Sequence, residues 1–242
     1  MRLPTELARR QRTAEAVPTK LWYLRRINLF QDLPEAALGE IASLAREETI
    51  PRNKVIYFPD EPSNEIFLLK EGRVKLYRLS EDGREVTLAI LKPGEVFGEL
   101  ALADEGPRQS AAEALDDVYL CAIKKEDFER ILRHHPDLAL RISKLMGFRL
   151  RSIESRVEEL VFRSVPARLA RLLLRLAEEF GQLTPEGTAV GISLSHRELA
   201  ALIGSTRETT TLVLNDFRRR GIIVVQGRRI VIRDPEALTK AS

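Results

Sequence analysis

Hydrophobic positions along the chain change their spacing twice, from helical to alternating and back to helical. Residues 33–46 carry apolar side chains at helical intervals after a proline, which predicts a short amphipathic helix. Between residues 48 and 123, short β-branched and aromatic runs are separated by turn residues, which predicts an antiparallel sandwich or jelly roll. The predicted strands are Val55–Phe58, Glu65–Lys70, Val74–Leu79, Glu85–Leu91 and Val118–Ile123.

A long helical pattern follows over residues 136–162. Apolar or small residues recur there every three or four positions, at Ala139, Ile142, Met146, Leu150, Ile153, Val157 and Leu160. Such a nearly heptad seam predicts a two-stranded coiled coil, and therefore a homodimer. The alternative is a helix that packs on its own sandwich. Ser164 and Pro166 interrupt the pattern, which resumes over residues 167–180 and ends at Gly181. A short strand is expected near Ala189 to Leu194.

Two short helices joined by a glycine turn are predicted over residues 195–220. Ser195 with Glu198, and Ser205 with Glu208, have the spacing of a capping box, which marks the start of a helix. Gly204 lies between the two boxes and tolerates the left-handed backbone that a sharp turn needs. On the second helix the residues expected to pack inward are Thr210, Val213, Leu214 and Phe217.

The outward residues of the second helix have the chemistry of a major-groove reader. Arginine can bind guanine O6 and N7, glutamate can accept from cytosine N4, and threonine or leucine can touch a thymine methyl. Residues 222–232 contain two β-branched runs around Gln226 and Gly227, which predicts a hairpin with arginines near its tip. The alternative is a solvated surface helix followed by an ordinary hairpin. The predicted winged helix-turn-helix would bind DNA through Ser195, His196, Ser205, Thr206, Arg207, Glu208, Thr211, Leu212, Asn215, Arg228 and Arg229.

The distribution of charge supports a DNA-binding domain in the C-terminal part of the chain. The net charge of the 242-residue chain is only +3, yet residues 164–242 hold 12 basic against 8 acidic residues. Residues 1–163 hold 27 against 28. The basic excess therefore belongs to the part where nucleic acid would bind.

Several other classes of protein are disfavoured by the composition. Cys121 is the one cysteine, which excludes an internal disulfide and cannot alone hold an iron-sulfur cluster. A metal-dependent cupin enzyme needs a cluster of histidines, and the three present are His134, His135 and His196, so no metal, no haem and no catalysis are expected. No stretch approaches the ~20 apolar residues of a membrane span, so the expected location is the cytoplasm, without a membrane partner.

A turn at residues 97–108, FGELALADEGPR, has the chemistry of an anion site. Gly98 lets backbone N–H groups approach a ligand, and Arg108 suits a single phosphate. The Glu99 carboxylate is better used as an acceptor for sugar hydroxyls. The pair predicts a phosphate and a ribose on one ligand. The alternative is a barrel loop closed by an internal Glu-Arg ion pair.

These two motifs carry a resemblance that extends over roughly residues 29–238. The turn resembles the phosphate-binding cassette of cyclic-nucleotide-binding domains, and GSTRETT at residues 204–210 resembles the recognition-helix start of the cAMP receptor protein and FNR (CRP/FNR) family of bacterial regulators. The resemblance implies cAMP as effector, a homodimer, a TGTGA-like palindrome read by Arg207 and Glu208, and RNA polymerase as a partner. The ligand-binding residues it implies, with their neighbours, are Gly98, Glu99, Leu100, Arg108, Gln109, Ser110, Arg149, Ile153 and Glu154.

Three positions depart from the family pattern. Ile153 and Glu154 stand where the cAMP receptor protein presents a threonine and a serine to adenine, and Leu212 replaces a guanine-reading arginine. An isoleucine offers no hydrogen bond to the exocyclic amine. The alternatives are therefore a regulator or activator of the same fold that needs no effector or responds to another small ligand, and a cyclic-nucleotide module that regulates a kinase or channel.

The expected organisation is α+β with four segments. They are a basic arm at residues 1–26, an antiparallel jelly roll that serves as a cyclic-nucleotide-binding-like sensor domain at 27–135, a dimerisation helix at 136–163, and a winged helix-turn-helix domain at 164–242.

Overall fold

The computed structural model describes residues 20–103, 105–227 and 229–241. The predicted basic arm lies mostly outside these residues. Sheets come first, a long helix follows, and a helix-turn-helix with a hairpin comes last, so the α+β prediction is confirmed. The helices are α1 Lys20–Leu24, α2 Glu35–Leu44, α3 Lys125–His134, α4 Pro136–Phe162, α5 Val165–Phe180, α6 His196–Ile203, α7 Arg207–Arg219 and α8 Pro235–Lys240. The strands are β1 Arg46–Ile50, β2 Val55–Tyr57, β3 Glu65–Glu71, β4 Val74–Leu79, β5 Glu85–Leu91, β6 Val96–Phe97, β7 Ala111–Ala114, β8 Val118–Lys124, β9 Gln182–Thr184, β10 Gly187–Ala189, β11 Ile223–Gln226 and β12 Arg229–Ile232.

The chain divides into two compact units. The first comprises the residues up to Val74 together with residues 91–143, and the second comprises residues 75–90 together with those from Lys144 onward. None of the helices in the described part of the chain is long and apolar enough to cross a membrane.

The first unit is built on a sheet with strand order β1-β8-β3-β6. All its pairings are antiparallel, with Arg46 opposite Ala122, Glu65 opposite Lys124 and Phe67 opposite Phe97. Strand β2 pairs antiparallel with β7 in the same unit. Between these strands the rings of Phe67 and Phe97 stack at 5.0 Å, and Tyr57 lies 5.7 Å from Phe67. This aromatic stack forms the centre of the sandwich core.

The five predicted strands all occur, but the prediction missed three others. Strand β1 has a mostly exposed, polar sequence, β6 contains only two residues, and β7 is built largely of alanine. None of these gives a β-branched alternating pattern, which is the signal that sequence reasoning uses. The first predicted helix ends earlier than expected, because Arg46 already pairs with strand β8.

The C-terminal elements form a separate antiparallel sheet, ordered β11-β12-β10-β9, next to helices α5 to α8. Helix α5 begins at Val165 with Ser164 as its N-cap, whose hydroxyl accepts from the Ala167 N–H. The strand expected near residues 189–194 was misplaced. The structure has a short hairpin before it, at Gln182–Thr184 and Gly187–Ala189, and leaves residues 190–194 irregular.

Candidate functional site

The turn at Gly98 has a backbone that requires glycine. Its φ is +77°, and a Cβ there would lie 2.8 Å from Arg108 Nη1 and 2.9 Å from the Glu65 carbonyl oxygen. Gly98 is also the N-cap of a 3-10 helix, Glu99–Leu102. The predicted glycine turn is therefore present, and it brings Gly98 against Arg108.

Arg108 is the charged centre of this site, and it is almost fully buried, with 6% of its surface exposed. Its Nη2 donates to the Glu65 carbonyl at 2.5 Å, and its Nη1 donates to the Gly98 carbonyl at 3.3 Å. The guanidinium lies 4.3 Å from the centre of the Tyr57 ring. Its Nε has no hydrogen-bond partner among the described residues. A buried cation with one unused donor is a strong candidate for binding an anion.

Burial and the neighbouring residues shift the pKa of Arg108 in opposite directions. Burial lowers the pKa of the Arg108 guanidinium from its ordinary value, while Tyr57, Glu65, Glu99 and Glu61 act to raise it. A cavity of about 400 Å³ adjoins the arginine within the first unit. Its lining includes Tyr57, Glu61, Glu65, Arg108, Lys124 and Glu126. Apart from Arg108, the charged residues that line this cavity are mainly acidic.

The other cassette residues differ in exposure. Glu99 is buried beside Gly98, Ser110 is half-buried, and Leu100 and Gln109 are exposed. Sequence reasoning missed Tyr57 and Glu65 as partners of Arg108, because they lie 51 and 43 residues earlier and no local pattern marks them.

Three further predicted ligand residues lie on α4, in the second unit. Arg149 is half-buried, whereas Ile153 and Glu154 are exposed. Ile153 belongs to a row of exposed apolar residues along this helix, together with Leu150, Val157, Leu160, Val161 and Phe162. Such a row agrees with the predicted seam. The start of the predicted seam differs from this row, because Ile142 is buried within its own unit. Ala139, the first residue of the seam, is exposed.

The first helix of the helix-turn-helix begins as predicted. The Ser195 hydroxyl accepts from the Glu198 N–H at 3.3 Å, and Glu198 Oε2 accepts from the Ser195 N–H at 2.6 Å. Gly204 then ends α6 in the left-handed conformation, with φ +59°.

The second predicted capping box is wrong. Helix α7 begins at Arg207, and its N-cap is Thr206, whose hydroxyl accepts from the Thr209 N–H at 3.2 Å. The reason is that the Ser205 N–H still bonds back to the Ala200 carbonyl, so Ser205 belongs to the end of α6. The Glu208 side chain is exposed on the surface of the helix.

Helix α7 presents two distinct faces. Thr210, Leu214 and Phe217 are buried as predicted, while Val213 is only half-buried. The outward face carries Arg207, Glu208 and Leu212 fully exposed, with Thr211 and Asn215 half-buried. Arg219 and Arg220 at the end of the helix both bond to Asp216, which partly neutralises the predicted run of arginines.

A groove of about 340 Å³ lies at the start of both helices. It is lined by Leu194, Ser195, His196, Arg197, Arg207, Val225, Gly227 and Ile230. The hairpin side of the groove is formed by β11 and β12, in which Gln226 lies opposite Arg229. Gly227 at the tip has φ +62°, and Arg229 is exposed. Arg228 lies outside the described residues. The groove joins a helix N-terminus, two arginines and a hairpin, which suits a phosphate of a nucleic acid backbone.

Within the described residues no group of three histidine, cysteine or acidic side chains could hold a metal ion. Cys121 is buried, and burial raises the pKa of its thiol.

A sandwich with a buried arginine at a glycine turn, a long helix and a capped helix-turn-helix with a hairpin together define a sensor-linked, DNA-binding regulator of transcription. Comparison with family models agrees: residues 47–135 match the cyclic nucleotide-binding domain, and residues 167–241 match the Crp-like helix-turn-helix domain. The chain belongs to the CRP/FNR family of transcription regulators.

Individual relatives cover nearly the whole chain. A CRP-like cAMP-activated global transcriptional regulator of Mycobacterium tuberculosis is 32% identical over 90% of this chain and 97% of its own length. A global nitrogen regulator of Synechocystis is 36% identical over 88% of this chain and 97% of its own. Among solved structures, a CooA variant from Carboxydothermus hydrogenoformans is 28% identical, covers 89% of this chain and 95% of its own, and has a TM-score of 0.71.

Proposed function

We propose that the protein is a homodimeric transcription activator that binds a TGTGA-like palindrome and is gated by cAMP in the N-terminal sandwich. The observation that carries the proposal is the outward face of α7, where Arg207 and Glu208 are exposed directly after a capped turn. The proposal also takes RNA polymerase as a partner and the cytoplasm as the location, as the family resemblance implies.

For the DNA site, the side chains of α7 have the required chemistry. Arg207 offers a fork of donors for guanine O6 and N7, and Glu208 offers an acceptor for cytosine N4. Leu212, with 70% of its surface exposed, has only apolar contact to offer, which favours a thymine methyl at its base pair. Arg197 and Arg229 are both exposed, so they can neutralise phosphates on either side of the groove.

For the dimer, the exposed apolar row of α4 supplies the interface. Leu150, Ile153 and Val157 each expose more than half of their surface and lie in one row on the helix. A contiguous exposed apolar surface is typical of an interaction site. A coiled coil between two copies would bury this row and set the two recognition helices for half-sites one helical turn apart.

For the effector, the cassette supplies a glycine turn, a buried Glu99 and a buried Arg108. Two of the five N–H donors of the Arg108 guanidinium bond to the carbonyl oxygens of Gly98 and Glu65, and the Nε–H has no partner among the described residues. A phosphate can therefore accept from a donor that is not used by these carbonyls. Such a bond between two ions is roughly twice as strong as a neutral hydrogen bond.

The second candidate is a regulator of the same fold with another effector, or with none. Two observations favour it. Ile153 and Glu154 lack the hydroxyl groups that the family presents to adenine, and Arg108 already has two acceptors without a ligand. The relatives also include a global nitrogen regulator as well as a cAMP-activated protein.

The DNA part of the proposal can be tested with two labelled duplexes at one fixed salt concentration. One carries two TGTGA half-sites at the spacing of one helical turn, and the other has about five additional base pairs between them, which turn one half-site to the opposite face. Fluorescence anisotropy should show much tighter binding to the first. Equal affinities would contradict a dimer that reads two half-sites.

The effector part can be tested by calorimetric titration with cAMP and with 2′-deoxy-cAMP. If Glu99 accepts from the ribose, the deoxy compound should bind about tenfold more weakly, equivalent to ~1.4 kcal/mol for one lost charged hydrogen bond. Glu99→Ala should remove the difference between the two ligands. Binding of neither ligand would favour the second candidate, and an unchanged difference in the variant would contradict the contact between Glu99 and the ribose.

A further inference from the structure

His196 lies in the helix-turn-helix with its hairpin, residues 195–232, which we call the DNA-reading unit. It is the first residue of α6, and its Nδ1 lies 2.8 Å from Thr211 Oγ1 on α7. Thr211 Oγ1 in turn lies 2.8 Å from the Arg207 carbonyl oxygen. The three groups form a chain that links the start of α6 to the start of the recognition helix.

The hydrogens available along this chain determine which ring nitrogen of His196 carries the proton. A threonine hydroxyl has one hydrogen, and a carbonyl oxygen has none. At 2.8 Å the contact between Thr211 Oγ1 and the Arg207 carbonyl needs that hydrogen, because two oxygens without one repel each other. The hydroxyl must then accept from His196, so Nδ1 carries a hydrogen. In the neutral ring, Nε2 is consequently the bare nitrogen.

This arrangement allows the ring to gain a proton without moving. A second proton enters at Nε2, while Nδ1–H, Thr211 and Arg207 keep the same two hydrogen bonds. Histidine is the side chain whose ordinary pKa of ~6.5 allows such a change near neutral pH.

The ring lines the groove at the start of both helices, where a phosphate would bind. On α6 the neighbouring charges are Arg197 and Glu198, and Glu198 is occupied by the Ser195 N–H. On α7 they are Arg207 and Glu208, both exposed. The groove residues of the hairpin, Val225, Gly227 and Ile230, carry no charge, and the nearby charged residue of β12 is Arg229.

A phosphate in the groove favours the protonated ring, because a bare Nε2 would repel the phosphate oxygen and a protonated Nε2 would donate to it. This contact exists only in the complex with DNA.

We propose that His196 binds a proton together with a DNA phosphate, so that DNA binding by this protein takes up protons and tightens as pH falls through neutrality. The inference rests on the proposed DNA-binding function and adds the proton as a second ligand of the same surface. The contact is made to the backbone of DNA, so the effect does not depend on base sequence.

Calorimetry in several buffers measures the proton uptake directly. The full-length protein is titrated with the palindromic TGTGA duplex at pH 7.0 and fixed salt, in buffers that differ in ionisation enthalpy. The slope of binding enthalpy against ionisation enthalpy is the number of protons taken up. We expect a positive slope that corresponds to at most one proton for each half-site, since each half-site would contact one His196. Anisotropy should show Kd falling between pH 7.5 and 5.5.

Two substitutions separate the proton from the hydrogen bond. In His196→Asn the side-chain amide can still donate to Thr211, but the group at Nε2 is gone, so the proton uptake should vanish. In His196→Arg the positive charge is permanent, so the uptake should also vanish and Kd should no longer depend on pH in this range. His134→Gln combined with His135→Gln removes the other two histidines and should leave the uptake unchanged.

The outcomes distinguish this inference from the function on which it rests. DNA binding without proton uptake, or an uptake that persists in His196→Asn, overturns the role of His196 and leaves the DNA-binding proposal intact. No binding to the duplex at any pH overturns both.

Discussion

Glu208 and Arg229 are both exposed charged residues of the DNA-reading unit, yet they should affect DNA binding in different ways. Glu208 lies on the recognition helix, where its carboxylate can accept from one base. Glu208→Ala should therefore cost ~1 to 3 kcal/mol on the preferred sequence and relax the preference at one base pair. Binding to a set of duplexes with single base changes measures both effects.

Arg229→Ala is the matched change on the hairpin. Its expected contact is a phosphate, so affinity should fall by a similar factor on every duplex, and the slope of log Kd against log salt should fall by about 0.9 for each half-site. If both variants showed the same loss on all sequences, the assignment of Glu208 to the major groove would be wrong.

The carboxylate of Glu40 gives a residue-scale prediction for stability. It contacts His134 Nδ1 at 3.1 Å and His135 Nε2 at 3.3 Å, and the hydrogen bond from His134 holds its pKa below the ordinary value of 4.5. A lowered pKa in the folded state stabilises the protein at pH values above 4.5, and this contribution is lost as pH falls through the lower value.

Urea denaturation of the wild type and Glu40→Gln should accordingly show a difference in the free energy of unfolding at pH 7. The difference should shrink as pH falls below about 4. Glu35→Gln, at an exposed carboxylate that pairs with Arg25, is the control and should change little at either pH. A Glu40 difference that stays constant with pH would contradict the account.

At the scale of elements, the turn before the 3-10 helix is the part of the cassette most sensitive to substitution. Gly98→Ala adds a methyl group within 3 Å of Arg108 Nη1 and of the Glu65 carbonyl, at a positive φ. Gly83 also has a positive φ, but nothing lies within 4 Å of its added Cβ. Gly83→Ala should cost about 1 to 2 kcal/mol of stability from backbone strain alone.

Gly98→Ala should cost more than Gly83→Ala and should also weaken effector binding, because the arginine must move. Urea denaturation and calorimetric titration with cAMP measure the two effects. An effector affinity unchanged in Gly98→Ala would show that the turn does not form the ligand site.

The elements also show how far sequence patterns reach. Helix α4 was predicted with its observed bounds because its periodicity is long and a proline and a serine mark its ends. Strand β7 was missed because alanine carries no β-strand signal, and its place depends on pairing with β2. The start of α7 was wrong by one residue because two hydroxyl residues, Ser205 and Thr206, compete for the cap, and the Ser205 N–H is used by α6.

The residues of the candidate site also differ in whether the sequence alone can identify them. Gly98, Glu99 and Arg108 form a local motif, so the sequence identifies them. The partners of Arg108, Tyr57 and the Glu65 carbonyl, come from strands far away in the chain, and a main-chain oxygen leaves no trace in the sequence. The same is true of the contact between His196 and Thr211, which depends on how two helices meet.

For the whole molecule, binding of a palindrome first requires a dimer. Leu150→Glu combined with Val157→Glu places charges on the exposed apolar row of α4. The double variant should be monomeric in analytical ultracentrifugation and should bind the palindrome at least tenfold more weakly, since each half-site is then bound alone. Ser152→Glu combined with Ser155→Glu, at exposed polar positions of the same helix, is the control and should remain dimeric.

The second requirement is that the sensor and the DNA-reading unit communicate. An effector shifts a two-state protein only by as much as it binds one state more tightly than the other. In the proposed function the cassette binds the phosphate and the ribose, whereas Ile153 and Glu154 differ from the residues that the family uses for adenine. Gating therefore requires a measurable coupling between the binding of cAMP and the binding of DNA.

Fluorescence anisotropy of a labelled palindromic TGTGA duplex, titrated with the protein at one fixed salt concentration with and without cAMP, measures this coupling. We expect cAMP to tighten binding tenfold or more, which corresponds to ~1.4 kcal/mol of coupling. Tight binding that is the same with and without cAMP would contradict gating by cAMP, and it would identify the chain as a regulator of this fold that works without an effector or with a different one.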